Sequence, residues 1–296
     1  KAVNLLTKSQ IAVLYMVGSV ICFSTMDILV KYLDNFPIPQ LLFMRFFFGL
    51  IPIFFIIPRD KIFTFYKTKR PALHAFRAIS GAVAIIALFI GLRNLPLADV
   101  ISLTFAGPIF VTIFSIIFLS EKVGIKRWSA VFIGFIGMLF IVQPAFTEMN
   151  FYYIFPIIFC IGFSFVAISI RSLSKTEPNY LIAFYFTILV LFLSLLTLPM
   201  GWAVPSKFEL FLFVILGLAG GIANLLLTQS YRLADASLVS PIKYLSLLFA
   251  LFFGYYIFNE IPKTMMLFGA FLVVTSSLII FRREAKLKKQ VVSPRS

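Results

Sequence analysis

Four ionisable side chains stand deep inside apolar runs: Asp27, Arg45, Arg77 and Lys243. A charge at the bilayer centre costs about 2.5–3.5 kcal/mol on insertion scales, so each must face a cavity or a partner. Asp27 suits a solute ammonium or sulfonium group, or a coupling proton. Its bland alternative is a structural ion pair with one of the three basic groups. Lys243 follows Pro241 by two residues. A proline removes a backbone donor and opens the local helix, so lysine and freed carbonyls can form a polar wall for a solute carboxylate. The alternative is a pair with Asp27 that locks the empty site. For Arg45 and Arg77, snorkelling or structural pairing outweighs solute contact, with Arg45 reaching toward the outer interface and Arg77 near the inner one.

Neutral groups extend the set. Ser102, Thr104, Tyr185, Asn224, Gln229 and Tyr231 can supply hydrogen bonds, and Phe105 and Tyr244 can stack on a planar solute. For any one of them, packing between helices is the commoner role. Gly107-Pro108 resembles the break at Pro241, so both breaks are expected to border the cavity. Glu121 and Glu260 each end a long apolar run and are expected to act structurally. Gly217 and Gly221 form a GxxxG spacing with no P-loop lysine after it, which predicts close helix packing rather than phosphate binding. His74 is the only histidine and reads as a polar interfacial residue; a metal site needs several ligands. Cys22 and Cys160 fall inside apolar runs and read as small packing residues.

The elements that hold these residues are read from hydropathy. Of 296 residues, 61% are hydrophobic and 12% charged, against about 25% charged in soluble domains. Such a chain needs lipid as its solvent. Crossing the hydrocarbon takes about 20 apolar residues. Ten runs qualify: 11–33, 39–58, 72–92, 97–119, 127–143, 152–171, 180–200, 208–231, 236–258 and 264–281. Turn signals such as Asn35-Phe36-Pro37, Asn94-Leu95-Pro96 and Glu177-Pro178-Asn179 separate them. The net charge of +15 does not indicate nucleic acid, because the basic residues cluster between apolar runs. With the amino terminus inside, 19 lysines and arginines fall in cytoplasmic segments and 4 in outer loops. That bias predicts a multi-pass inner-membrane protein with both termini cytoplasmic.

The chain also resembles itself at a shift of 139 to 140 residues. Phe23-Ser24 matches Phe163-Ser164, Lys31 matches Arg171, Gly81 matches Gly220, Arg93 matches Arg232 and Glu121 matches Glu260. The expectation is an all-α integral membrane fold of ten transmembrane helices, as two inverted five-helix repeats. Residues 1–145 form the first, 146–284 the second, and 285–296 a basic cytoplasmic tail. Five is odd, so the copies must point in opposite directions, a signature of secondary transporters whose solute site lies near the midplane. Asp27 breaks the symmetry, since Ala167 matches it.

These stretches resemble the drug/metabolite transporter superfamily, in its ten-helix EamA type. The resemblance rests on Phe23 to Tyr32 with Arg45, on Ala98 to Lys122, and above all on Ser240 to Pro262. It implies a central cavity lined mainly by helices 1, 3, 4, 6, 8 and 9, and no ATPase. Arg70, Pro71, His74 and Arg77 are similar to a pattern of the bacterial S-adenosylmethionine transporters within it. Those tend to carry Tyr-Arg-Tyr-Leu-Glu in helix 9, where this chain has Ile242-Lys243-Tyr244-Leu245-Ser246. Aromatic amino-acid exporters of the same superfamily remain an alternative.

The expected function is therefore a secondary carrier working by alternating access. Its solute would be a small zwitterionic or amphipathic metabolite, S-adenosylmethionine-like or an amino acid. The alternative is an aromatic or neutral amino-acid or drug exporter. A coupling proton or a counter-solute, the lipid bilayer, and a monomer or homodimer complete the picture, with no cofactor, metal or nucleic acid. An intramembrane enzyme acting on lipid-linked substrates is disfavoured, because one intramembrane Asp and one interfacial His make no catalytic set.

Overall fold

The computed structural model describes residues 8–61, 66–119, 125, 128–129, 132–137, 139–140, 150–234, 242–243, 245–272 and 274–275. The fold is an all-α, ten-helix membrane fold. The described helices are α1 (Lys8–Tyr32), α2 (Ile38–Ile56), α3 (Pro71–Asn94), α4 (Leu97–Thr104), α5 (Gly107–Leu119), α6 (Ile154–Leu173), α7 (Asn179–Leu195), α8 (Lys207–Leu233) and α9 (Leu245–Phe258). Further helix covers 264–272. Five spans are long and apolar enough to cross a membrane: Gln10–Tyr32, Ile38–Ile56, Pro71–Asn94, Phe151–Leu173 and Lys207–Leu233.

Proline sets the helix starts. Pro37, Pro96 and Pro178 are the N-caps of α2, α4 and α7, and Pro71 opens α3. A missing N–H costs nothing in a first turn, where donors lack helical partners anyway. These are the turns the sequence marks. α8 starts on a capping box, with Ser206 accepting from the Glu209 N–H and Glu209 accepting from the Ser206 N–H.

Three expected spans are not a single α-helix over their described residues. The run 97–119 divides at Phe105-Ala106 into α4 and α5. There the Phe105 N–H reaches Ser102 (3.2 Å) and the Ala106 N–H reaches Leu103 (2.9 Å), three residues back instead of four. Pro108 has no N–H to offer Thr104, so the helix restarts around it. The run 180–200 ends as helix at Leu195 and finishes in a 3-10 turn, Leu198–Met200, before Gly201 at φ +87°. In the run 236–258 the described α-helix starts only at Leu245, after a 3-10 turn at 242–243.

Packing follows the repeat. α1 lies on α8 and α3 on α6; α2 lies on α8 and α3 on α7; α5 lies on α6 and α9 on α1; α2 and α7 meet each other. Each pair has its counterpart in the other half, which is an inverted-repeat contact pattern. The α2–α8 contact is backbone-close. A Cβ on Gly221 would stand 2.6 Å from the Gly49 carbonyl oxygen, and one on Gly217 would stand 2.4 Å from Phe48. The GxxxG spacing therefore packs helices.

Polar ties hold the two ends. At the end where α1 starts, Glu177 accepts from Thr68 Oγ1 (2.9 Å) and the Lys69 N–H (3.0 Å), and Arg70 donates to Ser172. At the opposite end, Lys31 pairs with Glu260 at 2.8 Å and donates to the carbonyls of Leu92 and Leu95. The other Glu260 oxygen accepts from the Leu97 N–H at 2.7 Å. Tyr153 donates to Asp99 nearby.

Candidate functional site

A cavity of about 150 Å³ lies between the halves. α1 contributes Met16, Ser19, Phe23, Met26 and Asp27; α3 contributes Arg77 and Gly81; α6 contributes Phe159 and Phe163. Asn224 and Tyr231 come from α8, Thr104 and Phe105 from the α4–α5 break, and Lys243 and Ser246 from the start of α9. Arg45 enters from α2 and Phe186 from α7. Phe23 and Phe163 are a repeat-related pair, so equivalent faces of α1 and α6 turn inward.

All four intramembrane charges line this one cavity. Asp27 is buried, and its Oδ1 has no hydrogen-bond partner among the described residues. Arg45 and Arg77 are buried too, which corrects the expectation that they serve the two interfaces. Each guanidinium lies on a ring: Arg45 Cζ is 4.1 Å from the Phe46 centroid and Arg77 Cζ is 4.0 Å from that of Phe186. A ring face carries partial negative charge, so it substitutes for some of the lost water. Arg45 Nε also approaches Met26 Sδ at 3.0 Å, and Arg77 Nη2 donates to Asn224 Oδ1 at 3.2 Å. Arg77 Nε and Nη1 have no partner among the described residues.

Lys243 does not pair with Asp27. Its ammonium lies 3.8 Å from the Phe163 centroid and 5.7 Å from that of Tyr231. Among the described residues, Arg45 is the charge that acts on Asp27, and Arg45 in turn repels Arg77. Among the described lining residues, three cations thus face one carboxylate.

The remaining candidates divide. Phe105 and Asn224 line the cavity. Ser102 does not; its hydroxyl turns to Met266 Sδ (3.6 Å), because Ile101 and Thr104, three apart on α4, hold the cavity face and Ser102 lies off it. Gln229 is half-buried on α8 outside the wall. Tyr185 sits at the α1-start end, donating to the Tyr66 carbonyl, with its ring 4.7 Å from that of His74. His74 is buried under it, in the first turn of α3. Glu260 binds Lys31 outside the cavity wall. Tyr244, Pro241 and Glu121 lie outside the described residues, as does the side chain of Pro108. Met26, Phe163 and Phe186 escaped the sequence reading. The shift of 140 that relates Phe23 to Phe163 is the signal that could have found one of them.

Inverted halves enclosing a charged cavity within apolar helices define the class: a carrier of small polar metabolites across a membrane. The chain belongs to the EamA-like transporter family, which matches residues 10–143 and again 150–282. A transporter family sets aside the intramembrane enzyme. The chain is 28% identical to an S-adenosylmethionine uptake transporter of Rickettsia conorii over 270 residues, 90% of this chain and 91% of that one. It is 28% identical to a riboflavin transporter of Rhizobium johnstonii, over 96% and 95% of the two chains. It is 25% identical to a pseudopaline exporter of Pseudomonas aeruginosa, over 88% and 92%. A solved crystal structure overlays 93% of this chain and 98% of its own with a TM-score of 0.70, at 16% identity, which supports the fold.

Proposed function

We propose that the chain carries a small zwitterionic metabolite of amino-acid type across the inner membrane by alternating access of its two repeats, 1–145 and 146–284. One observation carries the reading. Asp27 and Arg77, of opposite charge, stand in the wall of one cavity, and each has polar atoms unpartnered among the described residues. Buried polar atoms without partners are costly, and a bound zwitterion would satisfy both sets. Its ammonium would go to Asp27 and its carboxylate to Arg77 or Lys243. A coupling proton or counter-solute would let the empty carrier return. The lysine and arginine bias supports both termini in the cytoplasm, with 285–296 as a basic tail at the headgroups.

The names of the Rickettsia relatives keep an S-adenosylmethionine-like solute as a second reading. Phe23, Phe105 and Phe163 in the wall could stack on a planar base, and would equally suit an aromatic amino acid or drug. Cavity size favours the smaller solute, since about 150 Å³ holds a benzene-sized group.

The test is purified protein in liposomes, offered labelled amino acids, S-adenosylmethionine and nucleosides. Saturable uptake or exchange of an amino acid is expected. A charged hydrogen bond contributes about 1.5–3 kcal/mol. Asp27→Asn and Lys243→Ala should each therefore lower apparent affinity about tenfold or more. Unchanged transport in both would remove these residues from the site.

A further inference from the structure

The charges of the cavity wall do not balance, and the imbalance bears on the solute. Asp27 has Arg45 as its charged neighbour. Among the described residues Arg77 has no such compensation: its charged neighbour is Arg45, another cation. Its guanidinium keeps Nε and Nη1 unpartnered among the described residues, although the side chain is only 2% exposed. Gly81 gives the guanidinium room at the cavity wall. A Cβ on Gly81 would stand 2.8 Å from Nη1, so any larger residue would crowd that donor. Lys243, also on the wall, rests its ammonium on rings rather than on a carboxylate.

We infer that the solute is a net anion: an amino-acid-like zwitterion carrying one further acidic group. The inference rests on the carrier reading above and narrows it. One acidic group, carboxylate or phosphate, takes the spare donors of Arg77. The second goes to Lys243, and the ammonium goes to Asp27 Oδ1. Three cations and one carboxylate then meet two anionic groups and one ammonium, which leaves the occupied cavity closer to neutral than the empty one. S-adenosylmethionine, a net cation with a sulfonium and an ammonium, would bring two positive groups to a wall already in positive excess. Charge complementarity of this kind discriminates between solutes even where it adds little raw affinity.

The experiment measures binding by calorimetry on the purified full chain, and transport in liposomes. The panel is L-glutamate, succinate, glycerol 3-phosphate, L-methionine and S-adenosylmethionine. L-Glutamate should bind about tenfold or more tighter than L-methionine or S-adenosylmethionine. Succinate and glycerol 3-phosphate separate carboxylate from phosphate as the acidic group. Arg77→Gln should abolish the preference for the acidic solutes while Arg77→Lys keeps part of it. Should Arg77→Gln fail to fold, Lys243→Gln, at a half-buried position, must reduce the same preference. Tighter binding of L-methionine or S-adenosylmethionine than of every acidic solute overturns the inference and leaves the carrier reading standing, as does an unaltered preference in the variants. If no member of the panel binds or moves, the carrier reading falls and this inference falls with it.

Discussion

Phe46 and Phe186 meet edge to face, with ring centroids 5.1 Å apart and planes at 89°. The two residues are 140 apart, the shift of the internal repeat, so the pair joins the halves at equivalent positions. Each ring also carries a guanidinium, Arg45 on Phe46 and Arg77 on Phe186. Arginine, ring, ring and arginine thus form a stack beside the cavity. A desolvated cation–π contact contributes about 2 kcal/mol. Phe186→Leu keeps most of the apolar bulk and loses the π face, so it should destabilise the folded protein by about 1–2 kcal/mol. Thermal unfolding in detergent reads this, at about 2–4 °C per kcal/mol for a chain of 150–250 residues. A melting temperature equal to the parent's would show that Arg77 draws nothing from the ring.

The repeat-related glycines Gly81 and Gly220 make room for those arginines. A Cβ at 81 would stand 2.6 Å from the Phe186 ring, and one at 220 would stand 2.9 Å from Arg45 Nε. Gly81→Ala must therefore push Phe186 or Arg77 aside, at about 1–3 kcal/mol for overpacking. The expected outcome is a lower melting temperature together with weaker solute binding, because the donor edge of Arg77 moves. Gly107→Ala is the matched control: a Cβ there meets nothing within 4 Å, so stability should hold. Equal behaviour of the two variants would contradict the crowding seen at Gly81.

Much of this architecture was legible beforehand, and the limits were physical. Apolar runs and prolines marked the helix starts at Ile38, Pro71, Leu97 and Asn179, because the membrane leaves few other ways to place an X-Pro turn. The four intramembrane charges marked the cavity, because hydrocarbon tolerates them nowhere else. Arg45 and Arg77 stand on the cavity wall and not toward the interfaces, because sequence shows how deep a residue lies but not which way it faces. In helices apolar on every side, no stripe marks the inner face. Ser102 lies off the wall for a related reason: it and Thr104 stand two residues apart on α4, so they cannot both face the cavity. The pairing of Lys31 with Glu260 was not legible, since the two lie more than two hundred residues apart along the chain.

That last pair makes a prediction about access. Lys31 and Glu260 tie the end of α1 to the chain after α9, and Glu260 also accepts from the start of α4. Their side chains are only 13% and 18% exposed, so water weakens the pair less than it would at an open surface. The tie lies at the end opposite the start of α1, and the alternating access proposed above requires contacts at that end to break. Glu260→Gln keeps the shape and removes the charge, which should shift the population toward opening at that end. The measurement is thiol labelling of Phe159→Cys, a cavity-lining position, with Cys22 and Cys160 replaced by serine. A membrane-impermeant reagent is applied from that side alone. Labelling should be slow with Glu260 present and several-fold faster with Gln. Losing a charged hydrogen bond worth about 1.5–3 kcal/mol gives ample range for such a change. If the rates are equal, closure at this end rests on apolar packing around Leu97 and Phe258, and the ion pair is incidental to it.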